Sequence, residues 1–169
     1  MSFPVALRAS FEADATGKVT GLSWQPRRAA KVTARKMDLK EERLTCQNKD
    51  VTLGGTLILP GGTGRHPVVI ITPGDFGTHR NQLRLWAHAY VSRGIGALVF
   101  DSRGSGESTG DLGLNTFSDL ADDVLAWVKT LRARDDVRPD AIGLFGFSNS
   151  CWTVSLAASR SPDVAFLIM

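Results

Sequence analysis

Residues 141–158 read Ala-Ile-Gly-Leu-Phe-Gly-Phe-Ser-Asn-Ser-Cys-Trp-Thr-Val-Ser-Leu-Ala-Ala, and this stretch decides the fold. It opens with the apolar run 141–145, which is too short for a helix and is typical of a strand buried on both faces. The small and apolar residues of 151–158 favour a tightly packed helix. Only five residues separate the two elements. We therefore expect a strand that turns at once into a helix.

The connecting pentapeptide, Gly146-Phe-Ser-Asn-Ser150, follows most of the G-x-S-x-G pattern, in which a strained turn lifts a serine to the top of a sheet. Ser148 is therefore a candidate nucleophile. The backbone N–H of Asn149, at the helix N-terminus, is a candidate donor to an oxyanion. Ser150, a small residue, stands where the pattern has its second glycine, and this departure weakens the match to the pattern. The pentapeptide alone leaves open the alternative of an ordinary serine in a strand-to-helix turn.

The rest of the second half of the chain alternates between strand and helix signals. Strands are predicted at 67–71 and 96–100, and a helix over 81–93 with Leu83, Trp86, Ala89 and Tyr90 on one face. A second helix begins at a capping-box-like segment, Thr116 to Asp119. This order predicts an α/β fold with a mostly parallel sheet and flanking helices. Ligand chemistry in such sheets lies at the carboxyl ends of the strands.

The first part of the chain has a different character. Residues 8–24 predict a β-hairpin around a turn at Asp14 to Gly17, and 25–40 is basic, lacks a clear period and is interpreted as a linker. An antiparallel pair of strands is predicted over 44–59. We therefore divide the chain into an N-terminal extension, 1–43, and an α/β core, 44–169.

Composition excludes several classes of function. Hydrophobic residues at 43% and charged residues at 22% are ordinary for a globular protein. The positive charge is concentrated in residues 1–45, with nine Lys/Arg against five Asp/Glu, but no block of like charge with interleaved aromatics predicts a nucleic-acid partner. No signal peptide or membrane-spanning run is visible, so no membrane partner is expected and the compartment stays open, with the cytoplasm as the default. Cys46 and Cys151 are far apart and predict free thiols, and neither a metal nor a cofactor is expected.

The loop after the 67–71 strand contains Pro73-Gly74-Asp75. Gly74 allows the backbone to approach a ligand closely, and the N–H of Asp75 would be a second oxyanion donor beside that of Asn149. The alternative is a flexible glycine-rich turn. We interpret His79 in the same loop as a surface or substrate-side residue and not as the general base.

The loop after the 96–100 strand reads Asp-Ser-Arg-Gly-Ser-Gly-Glu-Ser-Thr-Gly over 101–110. A dinucleotide-binding fingerprint would need a glycine at Thr109, so nucleotide binding is rejected. We expect Asp101 and Arg103 to tie this loop down. Gly104 and Gly106 let it bend beneath the site.

Ser148 in its pentapeptide, the 101–108 loop and the Pro73-Gly74-Asp75 loop, in this order and spacing, resemble the α/β-hydrolase superfamily. The dienelactone-hydrolase-like and dipeptidyl-aminopeptidase/acyl-peptidase-like branches are the most similar, over residues 44–169. The resemblance implies a serine hydrolase of ester, thioester or peptide bonds with a small-molecule acyl substrate. The chain departs from the superfamily pattern at Pro73, where many members have histidine, and at Ser150.

The superfamily places the catalytic acid and then the histidine after the serine. After Ser148 this chain has one acid, Asp163, and no histidine. Asp163 precedes a strand, so it belongs to the amino end of the sheet. We therefore expect an incomplete core that is inactive alone, with an exposed apolar edge strand at 164–169 that favours self-association. The alternative is a non-catalytic remnant or interaction module with the same fold.

Overall fold

The computed structural model describes residues 8–26, 29–74, 78–113 and 115–169. The chain forms two compact units, Met1–Asp38 and Leu39–Met169. The division falls a few residues before the one predicted after residue 43, because a long strand of the second unit already begins at Leu39.

The first unit is a three-stranded antiparallel sheet of β1 (Arg8–Ala13), β2 (Val19–Gln25) and β3 (Val32–Arg35), in that order. The predicted hairpin is present as β1 and β2, and Gly17 at their turn has a φ of 82°. The interpretation of 25–40 as a linker is wrong, because β3 lies within it. All four residues of β3 are exposed, and the alternation in Val-Thr-Ala-Arg is only four residues long, too short to stand out from the basic segment around it.

The second unit is built on a six-stranded mixed sheet, which confirms the predicted fold class. Its strands lie in the order β4-β5-β7-β6-β8-β9. The four strands β6 to β9 pair in parallel, and β4 and β5 complete the sheet as antiparallel neighbours. The six strands are β4 (Leu39–Asn48), β5 (Val51–Pro60), β6 (His66–Ile71), β7 (Gly96–Phe100), β8 (Val137–Phe145) and β9 (Phe166–Ile168).

Helices cover both faces of this sheet. They are α1 (Arg84–Val91), preceded by a 3-10 turn at Arg80–Leu83, α2 (Phe117–Arg132) and α3 (Ser150–Arg160). In β6, Val69 and Ile71 pack with the buried residues of α1, whereas Val68 and Ile70 pack with those of α2 and α3. Two cores therefore sandwich the sheet, which is why its central strands are continuously apolar.

The predicted buried face of the first helix is only partly right. Its buried positions are Leu83, Ala87 and Val91, whereas Trp86 is 47% exposed. From Leu83 onward the buried residues recur every four positions, whereas Arg80, in the preceding 3-10 turn, lies three residues before Leu83. For the second helix the prediction is confirmed: Thr116 and Asp119 form a reciprocal capping box at the start of α2.

Strand β9 lies at the edge of the sheet, and its apolar side chains are partly exposed: Phe166 at 37% and Leu167 at 36%. Self-association through 164–169 stays a prediction. None of the helices in the described ranges is long and apolar enough to cross a membrane.

Candidate active site

Ser148 lies in the tight turn between β8, which ends at Phe145, and α3, which begins at Ser150. Its φ is 54°, and Lys49 is the only other described non-glycine residue with a positive φ. A left-handed backbone costs a residue with a Cβ about 1–2 kcal/mol, so the surrounding structure must hold this conformation. Ser148 is also exposed. The structure therefore presents its side chain at the tip of a strained strand-turn-helix.

Gly146 explains how the strand and the helix come so close. A Cβ at this position would lie 2.7 Å from Cγ2 of Val154 and 2.9 Å from the carbonyl oxygen of Ser150. Because Ser150 contributes a backbone atom to this contact, the helix would have to move away from the strand. The close passage thus requires glycine at position 146.

Ser150 replaces the second glycine of the pattern without disturbing the turn. Its side chain is buried, and its hydroxyl accepts a hydrogen bond from the Phe147 N–H and donates one to the Phe147 carbonyl oxygen, both at 2.8 Å. The hydroxyl therefore closes the turn that carries Ser148, a role that the sequence pattern did not reveal.

The structure describes only one of the two candidate oxyanion donors, the N–H of Asn149. Within the described residues no acceptor is hydrogen-bonded to the N–H of Asn149, the residue that caps α3. Asp75, the second candidate, lies outside the described residues. Gly74, just before it, does lie beside the turn, because a Cβ at Gly74 would be 2.8 Å from the ring of Phe147.

The loop after β7 is fixed by the fully buried carboxylate of Asp101. Its oxygens accept hydrogen bonds from the N–H of Arg80 at 2.7 Å and from the N–H of Glu107 at 3.0 Å. The backbone at Gly106, with a φ of 54°, runs so close to this carboxylate that a side chain would collide with it. Asp101 thus joins its own loop to the beginning of the 3-10 turn.

Arg80, which sequence reasoning missed, is the cation in this cluster. Its guanidinium is 3.2 Å from Asp101 and 2.5 Å from Glu107, and its hydrogen bond holds the pKa of Glu107 below the usual range. A buried acid after one strand requires a cation nearby. The sequence feature that could have identified this cation is the basic residue Arg80 at the end of the neighbouring loop.

His79 lies beside Asp101 and the 3-10 turn. Its Nδ1 accepts a hydrogen bond from the Asn81 N–H at 3.1 Å, and its Nε2 is 3.8 Å from Asp101. These contacts cap the 3-10 turn, and none of the contacts in the described part of the chain joins His79 to Ser148.

Arg103 ties the same loop to α2. Its guanidinium makes a bidentate ion pair with Asp123, at 2.5 Å and 2.8 Å, and this hydrogen bonding raises the pKa of Arg103. Asn48 donates to the same carboxylate at 2.7 Å. Gly104 has a φ of 67°, and a Cβ there would lie 2.7 Å from the backbone nitrogen of Leu112. Arg103 and Gly104 therefore shape the loop.

A serine that acts as a nucleophile needs a base within hydrogen-bond reach of its hydroxyl. Among the described residues no side chain is hydrogen-bonded to the hydroxyl of Ser148. The acid Asp163 precedes β9 and so belongs to the amino end of the sheet, whereas Ser148 lies at the carboxyl end. Asp163 pairs there with Arg132 at 3.1 Å. The described residues thus supply an exposed serine and an adjacent free N–H, which are two of the parts needed for acyl transfer.

A mixed, mostly parallel sheet with helices on both faces, in this connectivity, is the fold of the α/β hydrolases. The sequence profile of the X-Pro dipeptidyl-peptidase (S15) family matches residues 20–169. The chain belongs to this hydrolase family, and its predicted resemblance to α/β hydrolases is confirmed.

Individual relatives are distant. An uncharacterised 31.7-kDa protein from the traX-finO intergenic region of Escherichia coli is 27% identical over 113 residues, which are 67% of this chain and 40% of that protein. The α/β hydrolase GrgF from Penicillium sp. sh18 has a similar fold, with a TM-score of 0.66 and 24% identity over 78% of this chain and 45% of its own.

A dienelactone hydrolase-like promiscuous phosphotriesterase, P91 from metagenomic libraries, has a TM-score of 0.65 and 17% identity over 76% of this chain and 57% of its own. The chain therefore spans about two fifths to three fifths of the length of these relatives.

Proposed function

We propose that this chain carries the nucleophile of a serine hydrolase that cleaves ester, thioester or peptide bonds. Ser148 attacks the acyl carbon, and the N–H of Asn149 donates to the oxyanion. One observation carries the proposal: the exposed Ser148 has a φ of 54° between β8 and α3. Strain of this kind persists only where the surroundings impose it, and it is concentrated at functional sites. The Asp75 N–H enters the proposal as the second donor on the sequence pattern alone.

The chemistry follows from a serine with a base beside it. The base takes the hydroxyl proton as the Ser148 oxygen bonds to the acyl carbon, and the leaving group departs with that proton. Water then attacks the acyl-enzyme, which releases the acid and restores the serine. The base and its orienting acid would then lie outside the described residues.

The family name sets the first substrates to try. X-Pro dipeptidyl-peptidases are named for peptides with proline in the second position. Peptides of that form, carrying a chromogenic amide, and simple aryl esters together cover the proposed class.

A fluorophosphonate probe tests the proposal directly. The polypeptide is expressed from residue 1 to the end of its reading frame and treated with the probe. We expect stoichiometric labelling of Ser148, no labelling in Ser148→Ala, and normal labelling in Ser155→Ala, which changes an exposed serine of α3. A folded protein that hydrolyses the substrates while Ser148→Ala does so equally well would contradict it.

The second candidate is a non-catalytic interaction module with a hydrolase fold. It is favoured by the absence, within the described residues, of any hydrogen-bond partner for the Ser148 hydroxyl. A folded protein that is neither labelled nor active on any of these substrates would support it.

A further inference from the structure

A cavity lies beside the turn that carries Ser148. It lies between the loops after β6 and β7 and the first turns of α2 and α3. Its space is about 520 Å³ when the open solvent at its mouth is counted, but only about 40 Å³ is open to the centre of a water-sized molecule. Its walls are mainly apolar, and the side chains that matter here are Pro73, Phe100, Phe117 and Leu120. Asn149, the residue that follows Ser148, forms part of the wall. The cavity is therefore next to the proposed nucleophile.

The charged groups in the wall are already paired with each other. Asp123 is 2% exposed and bonds the Arg103 guanidinium through both carboxylate oxygens. A ligand that entered with a charge would have to compete with this buried pair or stay unpaired, and both are costly. The wall therefore favours an uncharged ligand.

Thr72 contributes a buried hydroxyl to the wall. It is 3% exposed, and its N–H donates to the Phe145 carbonyl at 2.9 Å. Its hydroxyl, in contrast, has no hydrogen-bond partner within the described residues. A buried hydroxyl without a partner destabilises the structure, so each such group in a native protein needs an explanation.

We infer that this cavity binds the acyl part of the substrate, and that the acyl group is short, mainly apolar and ends in one uncharged hydrogen-bonding group, which pairs with the Thr72 hydroxyl. This inference rests on the proposed function. An acyl group bonded to Ser148 is adjacent to Asn149 and so to the cavity mouth. Apolar walls with a few placed polar groups are the usual construction of small-molecule sites.

Direct binding tests the pocket without requiring catalysis. The probe is butanamide, a short apolar chain with a neutral amide, titrated into the polypeptide expressed to the end of its reading frame and followed by NMR. We expect Thr72→Val to weaken butanamide binding roughly tenfold, because the isosteric valine cannot form the hydrogen bond. Thermal stability should stay equal or rise, since the lost hydroxyl had no partner in the free protein.

A matched control is Thr130→Val on α2. Thr130 donates its hydroxyl to the Ala126 carbonyl at 2.9 Å and is absent from the cavity wall. We expect this variant to bind butanamide like the unchanged protein.

Filling the cavity gives an independent measurement. We expect Leu120→Trp to abolish butanamide binding and to lower kcat/KM for a butanoyl ester at least tenfold more than for an acetyl ester. Leu125→Trp adds the same side chain to α2 but lines a different surface groove, so it should leave both unchanged.

The outcomes separate the pocket from the proposed catalysis. Suppose that Ser148 is labelled but that neither Thr72→Val nor Leu120→Trp changes the affinity for butanamide. That result would contradict the assignment of the pocket and leave the hydrolase proposal standing. Binding that depends on Thr72 in a protein whose Ser148 is neither labelled nor active would overturn the acyl assignment through the failure of the proposed function.

Discussion

The buried carboxylate of Asp101 accepts a hydrogen bond from the backbone N–H of Arg80 at 2.7 Å, and the Arg80 guanidinium approaches the same carboxylate to 3.2 Å. One residue follows β7 and the other follows the loop after β6. This contact therefore fixes two loops at the carboxyl edge of the sheet as one unit.

Removing the charge of Asp101 is expected to be costly. Asp101→Asn leaves the buried Arg80 with only Glu107 as an anion, so we expect the free energy of unfolding to fall by about 3 kcal/mol. Asp163→Asn breaks the exposed pair with Arg132 and should change it by less than about 0.5 kcal/mol. Urea unfolding measures both. Equal small effects of the two substitutions would contradict the role given to Asp101.

Replacing Ser148 by glycine should stabilise the fold while removing the proposed nucleophile. Glycine adopts a φ of 54° without strain, so we expect Ser148→Gly to raise the free energy of unfolding by about 1 kcal/mol. Ser148→Ala keeps a Cβ and should bring no such gain. Lys49→Gly, at the other positive φ, is the companion variant. Equal stability of the glycine and alanine variants at position 148 would show that the turn is unstrained.

The hydroxyl of Ser150 should stabilise the turn. Ser150→Ala leaves the Phe147 N–H without its acceptor, and we expect a loss of about 1 kcal/mol in chemical denaturation. Ser155→Ala on the exposed side of the same helix controls for a general effect of alanine in α3. A neutral result for Ser150→Ala would mean that its hydrogen bonds contribute nothing to the turn.

The two thiols are expected to react very differently. Cys46 is 6% exposed, and its burial, with a smaller contribution from the charge of Asp123, raises the pKa of its thiol to about 12. Almost no thiolate is then present at pH 8. Cys151 is half-buried on α3. An aromatic disulfide reagent should therefore modify one thiol per native chain and two in denaturant.

Single cysteine variants assign the reactive thiol. Cys151→Ser should abolish the native reaction, and Cys46→Ser should leave it unchanged. Fast native modification of Cys46 would contradict its burial.

Acid stability should depend on Asp136. Hydrogen bonds from Arg134, and then from Lys40, hold the pKa of Asp136 well below its usual range. A carboxyl with a lowered folded-state pKa contributes stability above its unfolded-state pKa of about 3.9 and loses that contribution as pH falls toward the folded value. We expect Asp136→Asn to be less stable by about 1–2 kcal/mol between pH 5 and 8, after allowance for partial exposure.

The stability difference between the two proteins should then shrink as the pH falls below about 4, because Asp136 becomes protonated in the unfolded chain while it is still ionised in the folded protein. Asp135→Asn is the neighbouring control, because Asp135 is fully exposed. A stability difference that stayed constant down to pH 2 would exclude this ionisation as its cause.

Much of the second unit could be predicted from the sequence because its signals are local. The continuous apolar runs of β6, β7 and β8 need no knowledge of their neighbours, and the capping box at Thr116 is complete within four residues. Strand β3 escaped prediction because it is short and buries no side chain. The buried face of α1 was predicted only in part because its buried residues recur every four positions and leave Trp86 exposed.

The parts of the site that escaped prediction depend on tertiary contacts. The turn at Ser148 follows from its own pentapeptide, whereas the cation for Asp101 is Arg80, from a different loop. The Ser150 hydroxyl bonds are local, to Phe147 three residues earlier, but the G-x-S-x-G pattern does not show where that side chain points. The Thr72 hydroxyl, which has no partner within the described residues, depends on how separate segments pack around it.

The placement of β6 between β7 and β8 fixes the position of a cleft at the carboxyl end of the sheet. After β6 the path crosses one face to reach β7, and after β7 it crosses the other face to reach β8. The loops after β6 and β8 consequently part in opposite directions and leave a cleft between them. The position of the cleft is fixed by the order of the strands and not by the residues of the loops. Loop residues can therefore change during evolution, and the specificity with them, while the cleft stays in the same place.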